Sequence, residues 1–353
     1  MKVASLKVDR PDVSTRLEIF GETKIEVSVV IPVRNEELAL PALVASLQAQ
    51  TFPPTEVIVV DGGSTDESVA VAHRLIGDDP RFRVIEAGSA TPGRGRNIGI
   101  DAARHDWIAL TDAGNRLDPQ WLERLLEVVR GDPEIAFVYG NFEPVTDSFF
   151  TSCAALAYVH PKRALAAGTI RYPFIASSLL SREVWQRVGG FPDMRAAEDL
   201  IFMETVEKQG FKTGYAPGAT VHWHLQPTLA RTFRRFALYS RHNVWAGRQG
   251  SWHYGIARHY AIALVFIVLA VLHSLWWLCV PALGLAARVA KSIWKNREGR
   301  GLMWALSPIQ FMYVMTIILV VDLATFTGWL QALVSKPRDQ GDSGRRPGDG
   351  ADS

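Results

Sequence analysis

The stretch Val27-Ser28-Val29-Val30-Ile31-Pro32-Val33 decides the fold class. It is a nearly continuous run of β-branched residues, which is typical of a strand buried on both faces. A second run of this kind covers residues 56–60, and between the two runs the apolar residues of 38–50 recur at helical spacing. Strand, helix and strand in this order predict an α/β fold, with helices on the faces of a parallel sheet.

The same alternation continues through the next part of the chain. Further strands are expected at 82–86, 107–111, 135–139, 211–216 and 220–224, and further helices begin near 66, 93, 119, 183 and 200. Residues 141–175 are less regular and rich in aromatic side chains. We therefore expect one α/β domain over residues 26–227, after a weakly ordered leader at 1–25.

Polar side chains stand where three of the predicted strands end. Arg34, Asn35 and Glu36 follow the first strand, Asp61 follows the second, and Asp112 follows the strand at 107–111. In open α/β sheets, ligands bind at the carboxyl ends of the strands. The sequence therefore predicts one binding crevice at this edge.

A glycine- and arginine-rich segment, Gly93-Arg94-Gly95-Arg96-Asn97-Ile98-Gly99, begins one of the predicted helices. Glycines allow a ligand to approach the backbone closely, and arginines suit phosphate. The glycine spacing differs from the dinucleotide-binding fingerprint, and no strand leads directly into the segment. A solvated basic helix start is the alternative interpretation.

Two adjacent carboxylates, Glu198 and Asp199, stand at the start of another predicted helix, after a glycine turn at 189–193. A helix N-terminus favours carboxylates, so an acidic cap alone would explain the pair. The alternative is a catalytic role, since a carboxylate beside a crevice can accept a proton.

His222 and His224 alternate with Trp223 on a predicted strand, so both histidines face the same side. They are candidates for metal or phosphate ligands, and the alternative is that they are ordinary polar residues of that face.

Composition narrows the possible functions. The formal net charge is only +2, which carries no nucleic-acid signature. The two cysteines, Cys153 and Cys279, are too far apart to indicate a disulfide framework or a metal motif, which fits a reducing compartment. The N-terminal residues lack the apolar core of a signal peptide.

The C-terminal third has the composition of a membrane-associated region. Residues 228–258 contain six arginines and no acid, and they predict an amphipathic helix that lies on anionic lipid or, alternatively, packs on the domain. Residues 260–287 contain no Asp, Glu, Lys or Arg, and residues 308–334 contain only Asp322. Both stretches are long enough to enter a bilayer, so we expect two membrane-embedded segments within 259–335. The tail at 336–353 has the composition of a disordered segment.

The topology of these two segments is left open by the sequence. The loop at 288–307 carries five Lys and Arg residues against one Glu, so the positive-inside rule favours the cytoplasm. Two simple crossings from a cytoplasmic domain would place this loop outside. Either the rule fails here, or one segment is re-entrant, for which Pro281 offers a bend.

The first 225 residues or so resemble the inverting family 2 glycosyltransferases, which have a GT-A (Rossmann-like nucleotide-diphospho-sugar transferase) fold. The type that the chain is most similar to is the membrane-attached bacterial enzyme of polysaccharide or glycolipid assembly. The stretches that carry the resemblance stand in the family's order: Val29-Val30-Ile31-Pro32-Val33-Arg34-Asn35-Glu36, Val59-Val60-Asp61-Gly62-Gly63-Ser64-Thr65-Asp66, Gly95-Arg96-Asn97-Ile98-Gly99, Asp112-Ala113-Gly114-Asn115 with Pro119 and Leu122, and Gly189-Gly190-Phe191 with Glu198-Asp199.

The sequence departs from the family pattern at two places. Gly62 stands where a second aspartate usually contacts the base of the nucleotide. Gly114 stands where the last aspartate of the DxD motif usually holds a metal, and the neighbouring Asn115 is a weaker ligand. The resemblance implies that Asp112 contacts either the ribose or a Mn²⁺ or Mg²⁺ cofactor, with His222 or His224 as a compensating metal ligand.

The resemblance also implies a role for each matching residue. Asp199 would be the catalytic base, with Glu198 positioning the acceptor or the base. Arg94, Arg96 and the metal would stabilise the leaving diphosphate. The donor-binding residues would be Pro32, Arg34, Asn35, Glu36, Asp61, Arg94, Arg96, Asn97 and Asp112.

The implied function is a membrane-bound hexosyltransferase at the inner (plasma) membrane, with its catalytic domain in the cytoplasm. It would move a sugar from a nucleotide-sugar donor to a lipid-linked or glycan acceptor, next to anionic membrane lipids and without a nucleic-acid partner. Two alternatives stay open. One is a polyprenyl-phosphate sugar synthase, and the other is an inactive glycosyltransferase-like membrane scaffold, suggested by Gly62 and Gly114.

Overall fold

The computed structural model describes residues 25–166 and 168–335, so the expectations for the leader before residue 25 and for the tail at 336–353 lie outside the described residues. The chain divides into two units. The first unit comprises Met1–Gln226 and Ala290–Val314, and the second comprises Pro227–Val289 and Met315–Ser353. The expected α/β domain therefore corresponds to most of the first unit, but this unit also recruits a later segment of the chain.

The first unit is built on one mixed sheet. Its elements are, in chain order, β1 (Val27–Val33), α1 (Leu40–Gln48), β2 (Glu56–Asp61), α2 (Ser68–Ile76), β3 (Phe82–Glu86), α3 (Pro92–Ala102), β4 (Trp107–Thr111), β5 (Asn115–Leu117), α4 (Trp121–Gly131), β6 (Phe137–Val145), α5 (Phe149–Tyr158), β7 (Arg163–Leu165), β8 (Gly168–Ile170), β9 (Ser177–Ser181), α6 (Arg182–Val188), α7 (Glu198–Lys208) and β10 (Thr213–His224). The strand order is β3-β2-β1-β4-β9-β6-β10-β5, and β7 and β8 form a separate hairpin.

The sheet confirms the α/β prediction and corrects the expectation of purely parallel strands. The strands β3, β2, β1 and β4 are parallel neighbours, whereas β9 runs antiparallel between β4 and β6, and β5 runs antiparallel to β10. The strand β9 follows the irregular stretch that gave no periodic signal. The two strands expected at 211–216 and 220–224 are one strand, β10, whose register with β6 shifts between Tyr215 and Thr220.

The opening stretch is buried as its composition predicts. In β1, Val27, Val29, Val30 and Ile31 have no exposed surface. The fully buried side chains of Val30, Ile58, Leu110 and Phe137 belong to one core cluster that α3, α6 and α7 help to cover. This core fixes the edge of the sheet at which the polar residues stand.

The second unit is helical. Its helices and those that connect it to the first unit are α8 (Leu229–Trp245), α9 (Gln249–Leu272), a 3₁₀ turn (Leu275–Leu278), α10 (Cys279–Lys295), α11 (Leu302–Ala305) and α12 (Pro308–Val334). Two stretches, Trp252–Leu272 and Pro308–Val334, are long and apolar enough to cross a membrane. The first apolar segment expected from the sequence is not one helix, because α9 ends at Leu272 and α10 begins at Cys279.

Candidate active site

The three polar strand ends lie at one edge of the sheet, as the sequence predicts. The strands β1, β2 and β4 are parallel neighbours, with Val33 opposite Asp61 and Val30 opposite Leu110. The loops after β1 and β2 are also bonded to each other. The Asn35 amide donates to Ser64 Oγ (2.9 Å), and Asn35 Oδ1 accepts from the Thr65 amide (2.8 Å). The two loops therefore form one wall of the crevice.

The Asp61 side chain bonds to residues of its own loop. It is buried, and its carboxylate accepts hydrogen bonds from the Gly63 amide (3.0 Å), the Ser64 amide (3.1 Å) and Ser64 Oγ (2.5 Å). Gly62 is required by packing, because a Cβ there would lie 2.6 Å from the Ala90 carbonyl oxygen. The departure from the family pattern at Gly62 thus follows from the close approach of two loops.

The glycines at the start of α3 allow close packing between elements of the protein. A Cβ at Gly93 would collide with the Pro192 carbonyl oxygen, and one at Gly99 would collide with Val30. These glycines allow α3 to pack tightly against β1 and against the turn that precedes α7. Arg94 is exposed at the helix start, where it remains a candidate for phosphate.

Asn97 is also occupied by the protein itself. Its Nδ2 donates to the Phe191 carbonyl (2.8 Å), and its Oδ1 accepts from the Phe191 amide (2.8 Å) and from Trp185 Nε1 (2.9 Å). The expected donor-binding residue therefore holds the Gly189-Gly190-Phe191 turn in place. That turn leads directly to the carboxylate pair.

Arg96 lies at the centre of the site and bridges its two halves. Its side chain is 3% exposed, and it donates from Nη2 to Asp112 Oδ1 (2.7 Å) and from Nη1 to Glu198 Oε1 (2.8 Å). Its guanidinium also lies 5.5 Å from the centre of the Phe191 ring. Burial disfavours the charge, but Asp112 and Glu198 raise the pKa of Arg96 above its ordinary value. A permanent positive charge therefore joins the strand-end aspartate to the carboxylate pair.

Glu198 and Asp199 occupy the first turn of α7, one and two residues after the N-cap position. The N-cap is Ala197, which has a left-handed backbone (φ 72) and makes no side-chain capping bond. Such a conformation costs a non-glycine residue about 1 kcal/mol. Asp199 Oδ1 still accepts from the Leu200 amide (2.8 Å), so the pair lies among the free N–H groups of the helix start although neither residue is the N-cap.

The environment of the pair favours its protonated forms. Burial, together with the charge of Asp199, raises the pKa of Glu198 to about 7. Burial also raises the pKa of Asp199, although the Arg96 guanidinium opposes this effect. Among the residues that the structure describes, Glu198 Oε2 and Arg96 Nε are buried without a hydrogen-bond partner. Perturbed carboxylates at the edge of a crevice are typical of catalytic sites.

The expected metal ligands do not come together. His222 Nε2 lies 2.7 Å from Asp118 Oδ1, and His224 is exposed at the end of β10. Within residues 25–166 and 168–335, no group of three or more His, Cys, Asp and Glu side chains could hold a metal ion. The Asp112 side chain, which follows β4, is 43% exposed. A Cβ at Gly114 would meet nothing within 4 Å, so this departure from the family pattern is not imposed by packing.

Sequence reasoning missed the contacts that hold the two halves of the site together. Arg96 and Glu198 are 102 positions apart, as are Thr91 and Asp193, whose side chains share a hydrogen bond of 2.5 Å. No local pattern signals such pairs. The one available signal is that Arg96 lies among closely spaced glycines, which indicate a helix packed against the sheet. An arginine buried there needs carboxylate partners such as Asp112 and Glu198.

Comparison with known proteins decides the family. The sequence matches the family described as Glycosyl transferase family 2 over residues 28–177, and the one described as Glycosyl transferase family group 2 over residues 107–327, which is more than half of the chain. The chain is a family 2 glycosyltransferase.

Individual relatives agree with this assignment. The putative glycosyltransferase EpsH of Bacillus subtilis is 30% identical over 151 residues, which cover 41% of this chain and 44% of EpsH. An uncharacterized glycosyltransferase of Haemophilus influenzae is 28% identical over 182 residues, which cover 50% of this chain and 60% of that protein. The succinoglycan biosynthesis protein ExoO of Rhizobium meliloti is 35% identical over 103 residues, or 29% of each chain. The matches thus span between 29% and 60% of these relatives' lengths.

A solved structure supports the fold. The mannosyltransferase PcManGT from Pyrobaculum calidifontis, in complex with GDP-Man and Mn²⁺, matches with a TM-score of 0.53 and 18% identity, over 90% of this glycosyltransferase and 93% of PcManGT. At this identity the likeness concerns the fold alone. The GT-A fold expected from the sequence is confirmed.

Proposed function

We propose that this glycosyltransferase is membrane-attached and inverting, and that it moves a sugar from a nucleotide-sugar donor to a lipid-linked or glycan acceptor in polysaccharide or glycolipid assembly. The observation that carries the proposal is the buried bridge from Asp112 through Arg96 to Glu198, with Asp199 beside it. This bridge joins the strand ends that would receive the donor to the carboxylates that would face the acceptor.

Asp199 is the proposed catalytic base. It accepts the proton of the acceptor hydroxyl while the hydroxyl oxygen bonds to the anomeric carbon from the face opposite the diphosphate. The bond between that carbon and the diphosphate oxygen breaks, and the nucleoside diphosphate leaves with the electron pair. Attack from the opposite face inverts the anomeric configuration. Asp199 is half-buried, and the raised pKa that burial gives it makes it a stronger base than a solvated aspartate.

Glu198 and Arg96 are proposed to position this base. Both terminal nitrogens of Arg96 already bond carboxylates, so its role shifts from the expected binding of the leaving group to fixing Glu198 and Asp112. The exposed Arg94 stays the candidate for the charge of the leaving diphosphate.

A divalent metal fits this site with one protein ligand. Asp112 is the exposed carboxylate at the strand end, and Mg²⁺ or Mn²⁺ commonly bridges a single carboxylate to substrate phosphates. When bound, such an ion would neutralise charge on the diphosphate. PcManGT was solved with GDP-Man and Mn²⁺, which supports both a nucleotide-sugar donor and a metal.

Membrane attachment is proposed from composition and from the helices. The arginines of residues 228–258 suit anionic lipid, and the exposed apolar side chains of α9 need an apolar surrounding. An enzyme whose acceptor hydroxyl lies at headgroup level gains from such an anchor. The proposed location is the inner face of the plasma membrane. The relatives EpsH and ExoO, the latter a succinoglycan biosynthesis protein, are bacterial and consistent with this setting.

Donor binding by the purified full-length protein tests the proposal. UDP-, GDP- and dTDP-sugars are added with and without Mn²⁺ or Mg²⁺, and the unfolding midpoint is followed. A ligand at 100 times its dissociation constant stabilises by about 2.7 kcal/mol. One nucleotide class should stabilise the protein, release its nucleoside diphosphate in the presence of extracted membrane lipids, and give a product of inverted anomeric configuration by NMR. Absence of binding to every donor would leave the scaffold alternative. A product made on polyprenyl phosphate, with only a mild effect of Asp199→Asn, would identify the sugar synthase instead.

A further inference from the structure

The apolar stretch at 260–287 begins and ends at one buried carboxylate. Tyr260 Oη donates to Asp322 Oδ2 (2.9 Å), and Arg288 Nη2 donates to Asp322 Oδ1 (2.8 Å). Asp322 belongs to α12 and has no exposed surface. A single helix of this length would separate its ends by about 40 Å. The first residue of the stretch and the residue that follows its last one therefore meet, and the stretch folds back on itself.

The fold-back occurs at a defined turn. The helix α9 ends at Leu272, and Ser274 Oγ accepts from the Trp276 amide (3.4 Å) at the start of the 3₁₀ turn. The Trp277 ring then lies 5.8 Å from the Phe266 ring of α9. The tip is apolar and open, with Leu275 75% and Trp276 82% exposed.

The base of this hairpin coincides with the point where charge resumes on both sides. Arg258 precedes Tyr260, and Lys291 and Lys295 follow Arg288. Such residues mark the level of the membrane interface. From Tyr260 to Leu272 the helix rises about 18 Å, whereas the hydrocarbon core is about 30 Å thick. Measured from the level of Tyr260, the hairpin is too short to reach the opposite interface.

The chain that follows the hairpin returns to the glycosyltransferase unit. The segment Ala290–Val314 belongs to that unit. Within it, Ser292 Oγ donates to the Leu156 carbonyl of α5 (2.7 Å), and Glu298 accepts from Lys162 Nζ (3.5 Å) and from Arg171. Ser292 and Glu298 of the basic loop are thus bonded within the glycosyltransferase unit, and the positive-inside rule favours the cytoplasm for this loop.

We propose that residues 260–288 form a re-entrant hairpin that inserts into the acyl chains of one leaflet and does not cross the bilayer. This inference rests on the membrane attachment proposed above. It decides between the two topologies that the sequence leaves open. It also makes the catalytic unit and its basic loop share one face of the membrane, where a lipid-linked acceptor would present its headgroup.

Single cysteines report the topology in the full-length protein. In a Cys153→Ser/Cys279→Ser background, we compare Leu275→Cys at the tip, Arg300→Cys in the basic loop, and Asp78→Cys as the reference on the catalytic unit. Sealed vesicles with the reference face outward are treated with a membrane-impermeant maleimide before and after permeabilisation. Arg300→Cys should label to the same extent as Asp78→Cys before permeabilisation, and Leu275→Cys should gain no labelling afterwards.

Each contrary result has its own meaning. If Arg300→Cys is labelled only after permeabilisation, residues 260–288 cross the bilayer once. If Leu275→Cys is labelled only after permeabilisation while Arg300→Cys is labelled before it, residues 260–288 cross the bilayer twice. Either result overturns the hairpin. A nitroxide attached to Leu275→Cys should be relaxed by oxygen more than by a nickel chelate, and the reverse would place the tip in water. Recovery of the protein in the soluble fraction would refute membrane attachment itself, which sedimentation measures separately.

Discussion

Replacement of Arg96 by methionine removes the charge that bridges the site while keeping much of the side chain's volume. Arg96 and Glu198 have side chains that are 3% and 7% exposed, so their ion pair is fully buried. Removing one partner of such a pair leaves an uncompensated charge and costs about 3–5 kcal/mol. Loss of the bond to Asp112 adds about 1 kcal/mol or less to this loss of stability, because the Asp112 side chain is 43% exposed. For a unit of this size we expect a fall in the unfolding midpoint of about 10 °C.

The size of this loss should depend on pH. Burial raises the pKa of Glu198 to about 7, and Arg96 works against that rise. Without Arg96, the pKa of Glu198 in the folded state increases further above its ordinary value. A carboxyl group whose pKa is raised by folding destabilises the folded state as pH increases. The variant should therefore lose about 10 °C at pH 8.5 but less than half of this at pH 5.5, where Glu198 is neutral.

Differential scanning fluorimetry of the purified full-length protein at both pH values measures these shifts. Arg94→Met, at an exposed position on the same helix, is the matched control and should change the midpoint little. The double variant Arg96→Met/Glu198→Gln removes the stranded charge and should recover most of the loss at pH 8.5. An equal loss at both pH values, or a double variant no more stable than Arg96→Met, would refute the buried bridge.

Three further outcomes are expected. Sugar transfer should increase with pH through about 7, because Glu198 and Asp199 must lose a proton that burial helps them to keep; an initial rate that is flat between pH 5.5 and 8.5 would contradict the assignment of these carboxylates. Gly62→Asp, which restores the family residue, should destabilise the protein by about 1–3 kcal/mol in thermal unfolding, since its Cβ would lie 2.6 Å from the Ala90 carbonyl oxygen; an unchanged midpoint would show that the two loops separate freely. Gly114→Asp meets no atom within 4 Å and should fold normally, and in calorimetric titration with Mn²⁺ and the nucleoside diphosphate it should bind the metal more tightly than the wild-type protein; unchanged affinity would place the metal away from Asp112.

The sequence predicts the strands β3, β2, β1 and β4 well because the patterns that indicate them are local. The apolar runs of β1 and β2 and the helical spacing of α1 and α4 need no distant partner to be recognised. The antiparallel strand β9 is hidden, since it follows an aromatic stretch without periodicity and its place is set by pairing with β4 and β6. The break between α9 and α10 is equally hidden, because the 3₁₀ turn is as apolar as the helices around it.

The candidate site is predicted in its residue types rather than in its contacts. The sequence indicates Asp112, Glu198 and Asp199 as candidates, and in the structure Asp112 and Glu198 both bond to Arg96. The sequence does not reveal the structural roles of Asp61 and Asn97. Both side chains bond to backbone groups, and the positions of those groups depend on loop conformation. The same types of side chain serve ligand binding and structural support, so residue type alone does not distinguish the two roles.

Sugar transfer by Asp199→Asn tests whether Asp199 is the catalytic base. The donor that stabilises the wild-type protein is supplied with a radiolabelled sugar, and the lipid-extractable or glycan product is counted. Glu207→Gln, at an exposed position on the same helix, serves as the matched control. We predict that Asp199→Asn folds, still binds the donor and loses at least about 100-fold in transfer, as expected for removal of a general base, while Glu207→Gln keeps wild-type turnover. Turnover of Asp199→Asn close to that of the wild-type enzyme would show that Asp199 is not the base.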